Sequence, residues 1–295
     1  MDSPQKNLAF ITDLDGFTVT KATIQDWNHV VKWGNREGWN IGYNDSQCMY
    51  SIDNNGLFIG WLGDQAIAAV SLINHSEQYS IWGNYLVIPE FRGNGYGKAV
   101  CKIAKNHAGD RNIGSNAMPE MVSNYMKSGL TPVYNVIHYS GKPRRITPNI
   151  KEIIPVELHY LDKIIQYDAL YFPTSRQRFL KKWLFSDGHV AYVKIINGEI
   201  YGYGVIRPAP SGYRIGPLVA KSPIDAEELF NTLTSFLPLT TQVSIFVPEY
   251  VHESFIYFLR KREFFEQFHV VYMHKGILQN NIPNSIYALS NLELG

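Results

Sequence analysis

The chain of 295 residues contains only two cysteines, Cys48 and Cys101. Two cysteines are too few for a disulfide framework, and they lack the paired spacing that zinc and iron–sulfur sites need. The nine histidines include no HExxH motif and no other close pair with ligand spacing, so we expect no metal site. This cysteine content fits a protein of a reducing compartment best.

An excess of charge of one sign and a long apolar run are also lacking. Lys and Arg total 27 against 26 Asp and Glu, so no broad positive field gathers nucleic acid or an acidic membrane surface. No stretch approaches the roughly 18 apolar residues of a membrane span, and the polar N-terminus is unlike a secretory signal. We therefore expect a cytoplasmic protein with neither nucleic acid nor membrane as a partner.

Apolar residues make up 45% of the chain and aromatic residues 14%, which is typical of a globular rather than a disordered protein. At roughly 100 to 200 residues per domain, the length favours two domains. The clearest break in composition lies at residues 141–149, where two prolines and a basic run interrupt the apolar periodicity. We expect one domain over residues 1–145 and a second over residues 146–295.

Both halves follow a similar order of predicted elements, which indicates two copies of one domain. Hairpins are predicted at residues 57–73 and 190–207, with turns at Gly63-Asp64 and Asn197-Gly198. A helical pattern precedes each hairpin, at residues 23–34 and 158–171. In each half, the hairpin is followed by a strand, a helix and a final strand–helix–strand unit. The order predicts a mixed α/β fold with an antiparallel start and a βαβ-like finish.

A glycine-rich loop joins a predicted strand, residues 79–88, to an amphipathic helix in the first half. Gly93, Gly95 and Gly97 let backbone N–H groups approach a ligand closely, and the positive end of the following helix attracts phosphate. The spacing fits neither GxGxxG nor the P-loop sequence. The loop therefore predicts a phosphate-containing ligand other than those of the two familiar nucleotide motifs.

The string V-I-P-E-F-R-G-N-G-Y-G at residues 87–97 strongly resembles the acetyl-CoA signature of the GNAT superfamily of N-acetyltransferases. The resemblance covers residues 15–141 well and the rest in outline. It implies an α/β fold, with a mixed α+β sheet, in two tandem GNAT-like acyl-CoA N-acyltransferase domains. The implied activity is direct transfer of an acetyl group from acetyl-CoA to the amine of a small metabolite in a ternary complex.

The resemblance also implies how the coenzyme binds. Backbone amides of the loop would hold the diphosphate, and the edge of the preceding strand would bind the pantetheine amides like an added strand. The family's sheet is splayed at this point, although nothing in the strand sequence indicates a bulge. The alternative is a plain glycine-rich turn. The expected coenzyme-binding residues are Tyr85, Leu86, Val87, Ile88, Arg92, Gly93, Asn94, Gly95, Tyr96, Gly97 and Lys98.

A tyrosine is implied as the general acid. In the family it lies four residues before a glycine, and Tyr125 to Gly129 match this pattern. Its hydroxyl would give a proton to the departing thiolate. The alternative is a packing tyrosine, since the chain has nineteen tyrosines. Many members carry an asparagine where this chain has Met118, so a hydrogen bond to the coenzyme is in question.

The loop after the first helix resembles the EGWN segment of a bacterial GNAT group whose members append a second, degenerate GNAT-like domain. The family usually builds its acceptor pocket there, so Glu37, Trp39, Asn40 and Asp45 are predicted to bind the acceptor, together with Asn84. Glu37 and Asp45 are the candidates for a general base. The alternatives are a helix cap with a buried tryptophan anchor for the loop, and core packing for Asn84.

Cys101, on the flank of the signature helix, is predicted to be a small buried residue rather than a nucleophile. The second half lacks the glycine cradle at residues 215–223. It is therefore expected to cover the first half's cleft or to complete the acceptor site. Its helix is predicted to start at Asp225 in a D-x-x-E pattern. Tyr272-Met273 stands where the resembling group has an Arg-Met pair, which predicts a different acceptor.

Two rival functions follow from the same residues. One is a non-catalytic acyl-CoA-binding sensor or regulatory protein, in which no acceptor reaches the coenzyme. The other keeps the transferase but uses a longer acyl-CoA as the donor.

Overall fold

The computed structural model describes residues 9–144, 151–278 and 284–295. In these ranges the chain forms one mixed sheet. The strands of the first half are β1 (Phe10–Ile11), β2 (Phe17–Lys21), β3 (Leu57–Leu62), β4 (Gln65–Asn74), β5 (Tyr79–Val87), β6 (Asn112–Ala117) and β7 (Thr131–Gly141). Those of the second half are β8 (Ile153–Pro155), β9 (Val190–Ile196), β10 (Glu199–Ala209), β11 (Gly212–Ala220), β12 (Val243–Pro248), β13 (Phe265–Lys275) and β14 (Ile286–Ala288).

Four α-helices are described in each half. They are α1 (Asn28–Arg36), α2 (Asp45–Ile52), α3 (Tyr96–Ala108) and α4 (Val122–Met126), then α5 (Leu161–Asp168), α6 (Gln177–Trp183), α7 (Pro223–Thr234) and α8 (Glu253–Lys261). Short 3₁₀ turns lie at Pro89–Phe91, Pro119–Met121 and Leu158–Tyr160. Both predicted hairpins, β3–β4 and β9–β10, are confirmed. The expected domain boundary between residues 145 and 146 lies outside the described residues.

Two predicted helix starts are wrong. In each case side-chain hydrogen bonds fix the backbone before the helix at residues other than the predicted ones. The first helix begins at Asn28, since Thr23 and Asp26 bond each other's backbone and side chain and hold a turn before it. Helix α7 begins at Pro223, two residues before the predicted start. Its N-cap is Ser222, whose hydroxyl accepts a hydrogen bond from the Asp225 amide at 3.3 Å.

The two halves exchange their closing strands. Strand β13 of the second half pairs antiparallel with β6 on one edge and with β7 on the other. Strand β7 of the first half in turn pairs with β12 of the second. Each half's sheet is therefore completed by a strand of the other, and the sheet runs through both halves without an edge between them.

The sheet of the first half is splayed between β5 and β6. Their parallel pairing starts at Tyr79 and stops after Trp82, which pairs with Ser115. Directly beyond, β5 has one residue more than its partner β4, because the register slips between Gly83 and Leu86. Asn84 in this bulge has φ +48°. The bulge twists β5 away from β6 and leaves one edge of β5 unpaired.

The corresponding opening in the second half is closed. Strand β11 pairs with β12 only up to Ile215. Strand β14 then pairs with β11 at Leu218 and Val219, and the amide of Leu289 donates to the β12 carbonyl of Phe246 at 3.0 Å. The chain's own final segment therefore occupies the place that the splay leaves free in the first half.

One apolar core joins the halves. Trp27 and Trp33 of the first half pack in the same buried cluster as Trp183 and Tyr203 of the second. A separate cluster lies between α3 and the first half's sheet. Among the described residues, no helix is long and apolar enough to cross a membrane, and no group of three or more His, Cys, Asp or Glu side chains could hold a metal ion.

Candidate active site

The loop between β5 and α3 presents an open backbone surface. Gly93 and Gly95 have φ of +84° and +86°, which residues with a side chain rarely adopt. A Cβ on Gly93 would meet no heavy atom within 4 Å, and one on Gly95 would meet only Leu14, at 3.9 Å. Gly95 is the N-cap of α3 and supplies no side-chain cap. The first amides of this helix therefore remain available to an anion.

Gly97 has a different role from the other two glycines. A side chain there would collide with the hydroxyl of Tyr85, so this glycine lets the strand and the helix approach closely. The backbone before the helix is shaped by Asn94, whose amide donates to the carbonyls of Phe91 and Arg92 at 3.3 and 3.2 Å.

A cleft of about 830 Å³ lies along this loop and the exposed side of α3. All the predicted coenzyme-binding residues line it except Leu86, Ile88 and Asn94. Leu86 and Ile88 pack on the core from the other face of the strand, as the alternation of side chains along a strand requires. The volume lies in the range of small-molecule and cofactor sites, roughly 300 to 1,000 Å³.

The cleft carries positive charge. Its lining contains no carboxylate among the described residues. Five cationic side chains line it, namely Arg92, Lys98, Lys102, Lys105 and Lys127. Such a wall is suited to the phosphate groups of coenzyme A, which the open amides of the loop would also meet. The residues present therefore fit an acyl-CoA.

Arg92 is held by two contacts. Its Nε donates to the carbonyl of Val87 at 2.8 Å, and its Nη2 donates to Glu37 Oε1 at 2.6 Å. Glu37 therefore orients Arg92 of the glycine-rich loop. It lines neither the cleft nor the second cavity described below, so the structure does not bring it to the position of a general base.

Tyr125 lies in the cleft on helix α4, with its ring centroid 6.0 Å from that of Trp82. Burial raises the pKa of its phenol well above the usual value, and the Cys101 thiol adds to the rise, while a polar contact with Ser115 opposes it. The phenol therefore keeps its proton at neutral pH. Gly129, at φ +87°, ends the turn after the helix, and Met118 does not line the cleft.

Cys101 is only partly buried and lines the same cleft, so the prediction of a buried residue is wrong, because this flank of α3 faces the cleft and not the core. Burial raises its pKa to about 12, although the nearby Lys105 partly opposes this. Almost no reactive thiolate exists at neutral pH.

We expect Cys101→Ala to keep turnover within about twofold of the unchanged chain, because a neutral thiol on the cleft wall is a small packing group. The rate of thiol release from acetyl-CoA at pH 7.5 measures this. A loss of a hundredfold or more in a folded variant would instead indicate a covalent role.

The segment predicted to bind the acceptor joins the two halves instead. Asn40 Oδ1 accepts from the amide of Ser211 at 2.8 Å, and Arg214 donates to the carbonyls of Trp39 and Asn40, at 3.4 and 2.8 Å. None of the residues predicted for acceptor binding in this loop lines either cavity. The alternative interpretation, a structural loop with a tryptophan anchor, describes it better.

Asp45 is buried at this junction, with 2% of its surface exposed. Its carboxylate accepts from Arg207 at 2.7 and 2.9 Å and from Asn291 at 3.1 Å. Asp45 lines neither cavity, and the structure pairs its carboxylate with the second half where the sequence predicts contact with an acceptor. Asn84 is also buried, and its Oδ1 accepts from Ser71 at 3.0 Å. It holds the bulge of β5 rather than facing a ligand.

A second cavity, of about 110 Å³, lies on the opposite face of the sheet. Tyr79 and Ile81 of β5 line it, whereas Trp82 points to the coenzyme-side cleft. Ser115 lines this cavity, and its hydroxyl donates to the carbonyl of Trp82 at 3.0 Å. Among the described residues, no side chain lines both cavities. Sequence reasoning missed this cavity because its walls come from strands paired across the two halves.

Within the described part of the second half, no glycine-rich loop stands at the corresponding strand-to-helix connection. Strand β11 leads into α7 through Lys221 and Ser222 alone. Asp225 and Glu228 lie in the first two turns of α7 and pair with Lys194. Two carboxylates at that helix terminus repel an anion, so coenzyme binding in the manner of the first half is disfavoured there.

The fold and the cleft define an acyltransferase of the GNAT type. Residues 24–124 match the acetyltransferase (GNAT) family, and residues 164–288 match a further acetyltransferase (GNAT) domain. The holothin acyltransferase of Pseudoalteromonas sp. (strain SANK 73390) is 30% identical over 279 residues, 95% of each chain. The chain therefore belongs to the GNAT acyltransferase family and has two GNAT domains.

Solved structures agree on the fold. A Pyrococcus horikoshii protein assigned as an acetyltransferase superposes with a TM-score of 0.79 at 19% identity, over the full length of both chains. A tandem GNAT protein from the clavulanic acid biosynthesis pathway gives a TM-score of 0.58 at 14% identity, over 89% of this chain and 100% of the other. The expected fold, a mixed α/β sheet in two tandem domains, is confirmed.

Proposed function

We propose that the protein is an acetyl-CoA-dependent N-acetyltransferase that acts directly on a small amine in a ternary complex. The observation that carries the proposal is the open glycine loop beside a cationic cleft that Tyr125 also lines. A donor in the cleft and an acceptor from the opposite face would then meet beside one protonated phenol. No covalent enzyme intermediate is needed for this transfer.

Each part of the cleft has a task. The amides at Gly93 and Gly95, with Arg92 and the lysines, hold the phosphates. The unpaired edge of β5 beyond Trp82 takes the pantetheine amides as an added strand. Tyr125 gives its proton to the departing thiolate, whose parent thiol has a pKa of about 8.5.

The acceptor and the acyl chain length are the parts to assay first. The name of the 30% identical relative makes holothin the first acceptor to test, and it leaves the acyl group open. Competition between acetyl-CoA and longer acyl-CoA donors decides the chain length. Calorimetric titration with acetyl-CoA, followed by thiol release over a panel of amines, tests the function itself. Tight binding without turnover on any amine would favour the sensor over the enzyme.

Replacing Gly95 by valine should raise the Kd for acetyl-CoA by tenfold or more. The φ of +86° costs a residue with a side chain about 1 to 2 kcal/mol, and the branched side chain would also cover the amides. The matched control is Gly198→Val, a hairpin glycine at φ +83° with open space around it. Its backbone strain is similar, and its acetyl-CoA Kd should not change. An unchanged Kd in Gly95→Val would remove the loop from the site.

A further inference from the structure

A lysine stands at the end of the coenzyme-side cleft that is furthest from the glycine-rich loop. Helix α3 runs back along β5, since Gly97 at its start contacts Tyr85 and Lys105 near its end lies over Trp82, with Nζ 5.5 Å from the ring centre. Lys105 is partly buried, and no carboxylate lines the cleft in the described part of the chain. A partly buried ammonium group is stabilised by an anion that a ligand would have to supply.

A second hydrogen-bond donor stands on the same wall. Trp82 lines the cleft with 4% of its surface exposed. Its Nε1 is buried and finds no hydrogen-bond partner among the residues that the structure describes. An indole N–H and an ammonium group can only donate hydrogen bonds. The wall formed by Trp82 and Lys105 is therefore suited to a ligand group that accepts hydrogen bonds and carries negative charge.

This wall is well separated from the loop that is proposed to hold the phosphates. Lys98 directly follows Gly97, whereas Lys105 is two turns further along α3. At 1.5 Å per residue, Lys105 lies about 12 Å beyond Gly97 along the helix axis. A diphosphate on the amides of the loop therefore leaves this end of the cleft to another part of the donor.

The direction of the bound donor decides which part that is. Pantetheine added along the edge of β5 would run from the loop toward Trp82, where the pairing of β5 with β6 closes the edge. The ring of Tyr125, the proposed acid, has its centre 6.0 Å from that of Trp82. The thioester is therefore expected beside Trp82, and the acyl group that extends beyond it would come nearest to Lys105.

We propose that the cleft also takes an acyl-CoA whose acyl group ends in a carboxylate, with succinyl-CoA as its test case. The inference rests on the proposed function and extends it from acetyl to dicarboxylic acyl groups. The carboxylate accepts hydrogen bonds from Nζ of Lys105 and Nε1 of Trp82. An uncharged acyl group of the same length leaves both donors without a partner, so it binds less tightly.

The transfer itself is the same as with an acetyl group. The amine nitrogen forms the C–N bond to the thioester carbon, and the C–S bond breaks. The departing thiolate takes the proton of Tyr125. The solvent takes up the proton that the amine loses and returns one to Tyr125.

A second anion of the donor, the 3′-phosphate of coenzyme A, is the other candidate partner for Lys105. Every coenzyme A ester carries this phosphate, and only a dicarboxylic ester adds the carboxylate. The ratio of the Kd values of two esters of equal acyl length therefore cancels the phosphate and measures the carboxylate alone.

Calorimetric titration with succinyl-CoA and butyryl-CoA makes this comparison, because both acyl groups have four carbons. We expect the Kd of butyryl-CoA to be at least tenfold that of succinyl-CoA at pH 7.5, where the ligand carboxylate is ionised. Equal Kd values, or tighter binding of butyryl-CoA, would overturn the proposal.

A substitution at Lys105 locates the site. Lys105→Met should bring the ratio of the two Kd values to within about twofold of one, because the unbranched side chain still covers Trp82 and its charge is lost. If Lys105 binds the 3′-phosphate instead, both Kd values rise together and the ratio stays, which would refute the assignment. The matched control is Lys102→Met, one turn nearer the loop in the same cleft, which should keep the ratio. An equal fall of the ratio in both variants would also refute it.

The proposed function and this inference fail separately. The ratio of Kd values needs no acceptor, so it is measured whether or not an amine is acetylated. A ratio near one beside thiol release from acetyl-CoA would refute the dicarboxylic donor and keep the acetyltransferase. A tenfold ratio without thiol release from any donor over the panel of amines would keep the carboxylate site and refute the transfer.

Discussion

Tyr125→Phe is expected to lower kcat by about 10² to 10⁴, the range that general acid catalysis contributes. The change removes one hydroxyl and keeps the ring that packs near Trp82. Without the phenol, the thiolate must leave unprotonated or take its proton from water. The raised pKa of Tyr125, caused first by burial, keeps the proton in place over the whole neutral range, so the difference should not depend on pH between about 6 and 9.

Binding separates a proton donor from a packing residue. The Kd of acetyl-CoA for Tyr125→Phe should remain within about threefold, because the phosphates are held by the loop and the lysines. Stopped assays of thiol release give kcat, and calorimetry gives Kd. Tyr287→Phe is the matched control: Tyr287 is buried, its pKa is raised to about 12 by burial, and it lines neither cavity. Equal turnover in both variants would leave Tyr125 as a tyrosine that only fills space.

The features that could be predicted from the sequence are those encoded within a few residues. The glycine loop follows from a short string, because a positive φ needs glycine and the following helix starts there. The hairpins follow from their turn dipeptides. The position of Tyr125 follows from a motif whose glycine ends the α4 turn, which is again a local requirement, and its role as the acid stays a prediction.

The features that could not be predicted depend on residues far apart in the chain. Asp45 stands in a polar loop and appears exposed until Arg207, 162 residues later, is placed against it. The partner of β13 is not encoded in its alternation of side chains, so the strand exchange and the cavity it creates had no sequence signal. The EGWN-like segment is a loop, as predicted, and its contacts to Ser211 and Arg214 of the second half have no signal in the local sequence.

Arg207→Met should destabilise the protein by about 3 to 5 kcal/mol at neutral pH, since it leaves the Asp45 carboxylate buried without its main partner. Arg207 has no exposed surface, and its guanidinium lies 4.4 Å from the ring centre of Trp183. It bonds Asp45 through two nitrogens. Because the pair joins the two halves, both should unfold together at lower denaturant concentration. The control is Arg144→Met, whose partner Glu263 is exposed, with an expected loss below about 1 kcal/mol.

The loss of stability in Arg207→Met should become smaller in acid. The direction of this pH dependence follows from the pKa of Asp45. Burial, the largest single influence, would raise its pKa, yet the charge and hydrogen bonds of Arg207, together with Arg214 and Asn291, outweigh burial and lower the pKa from 3.8 to about 2. Because the pKa is lower in the folded state, the ionised Asp45 stabilises that state by about 2 kcal/mol at any pH above its pKa in the unfolded chain. This contribution is lost as the pH falls from about 4 to 2. Without Arg207, burial raises the pKa and a protonated Asp45 is tolerated. Denaturant unfolding of the unchanged chain and of Arg207→Met, measured from pH 7 to pH 4, should show that the difference between their free energies of unfolding becomes smaller. A constant difference would mean that Arg207 acts through packing on Trp183 alone.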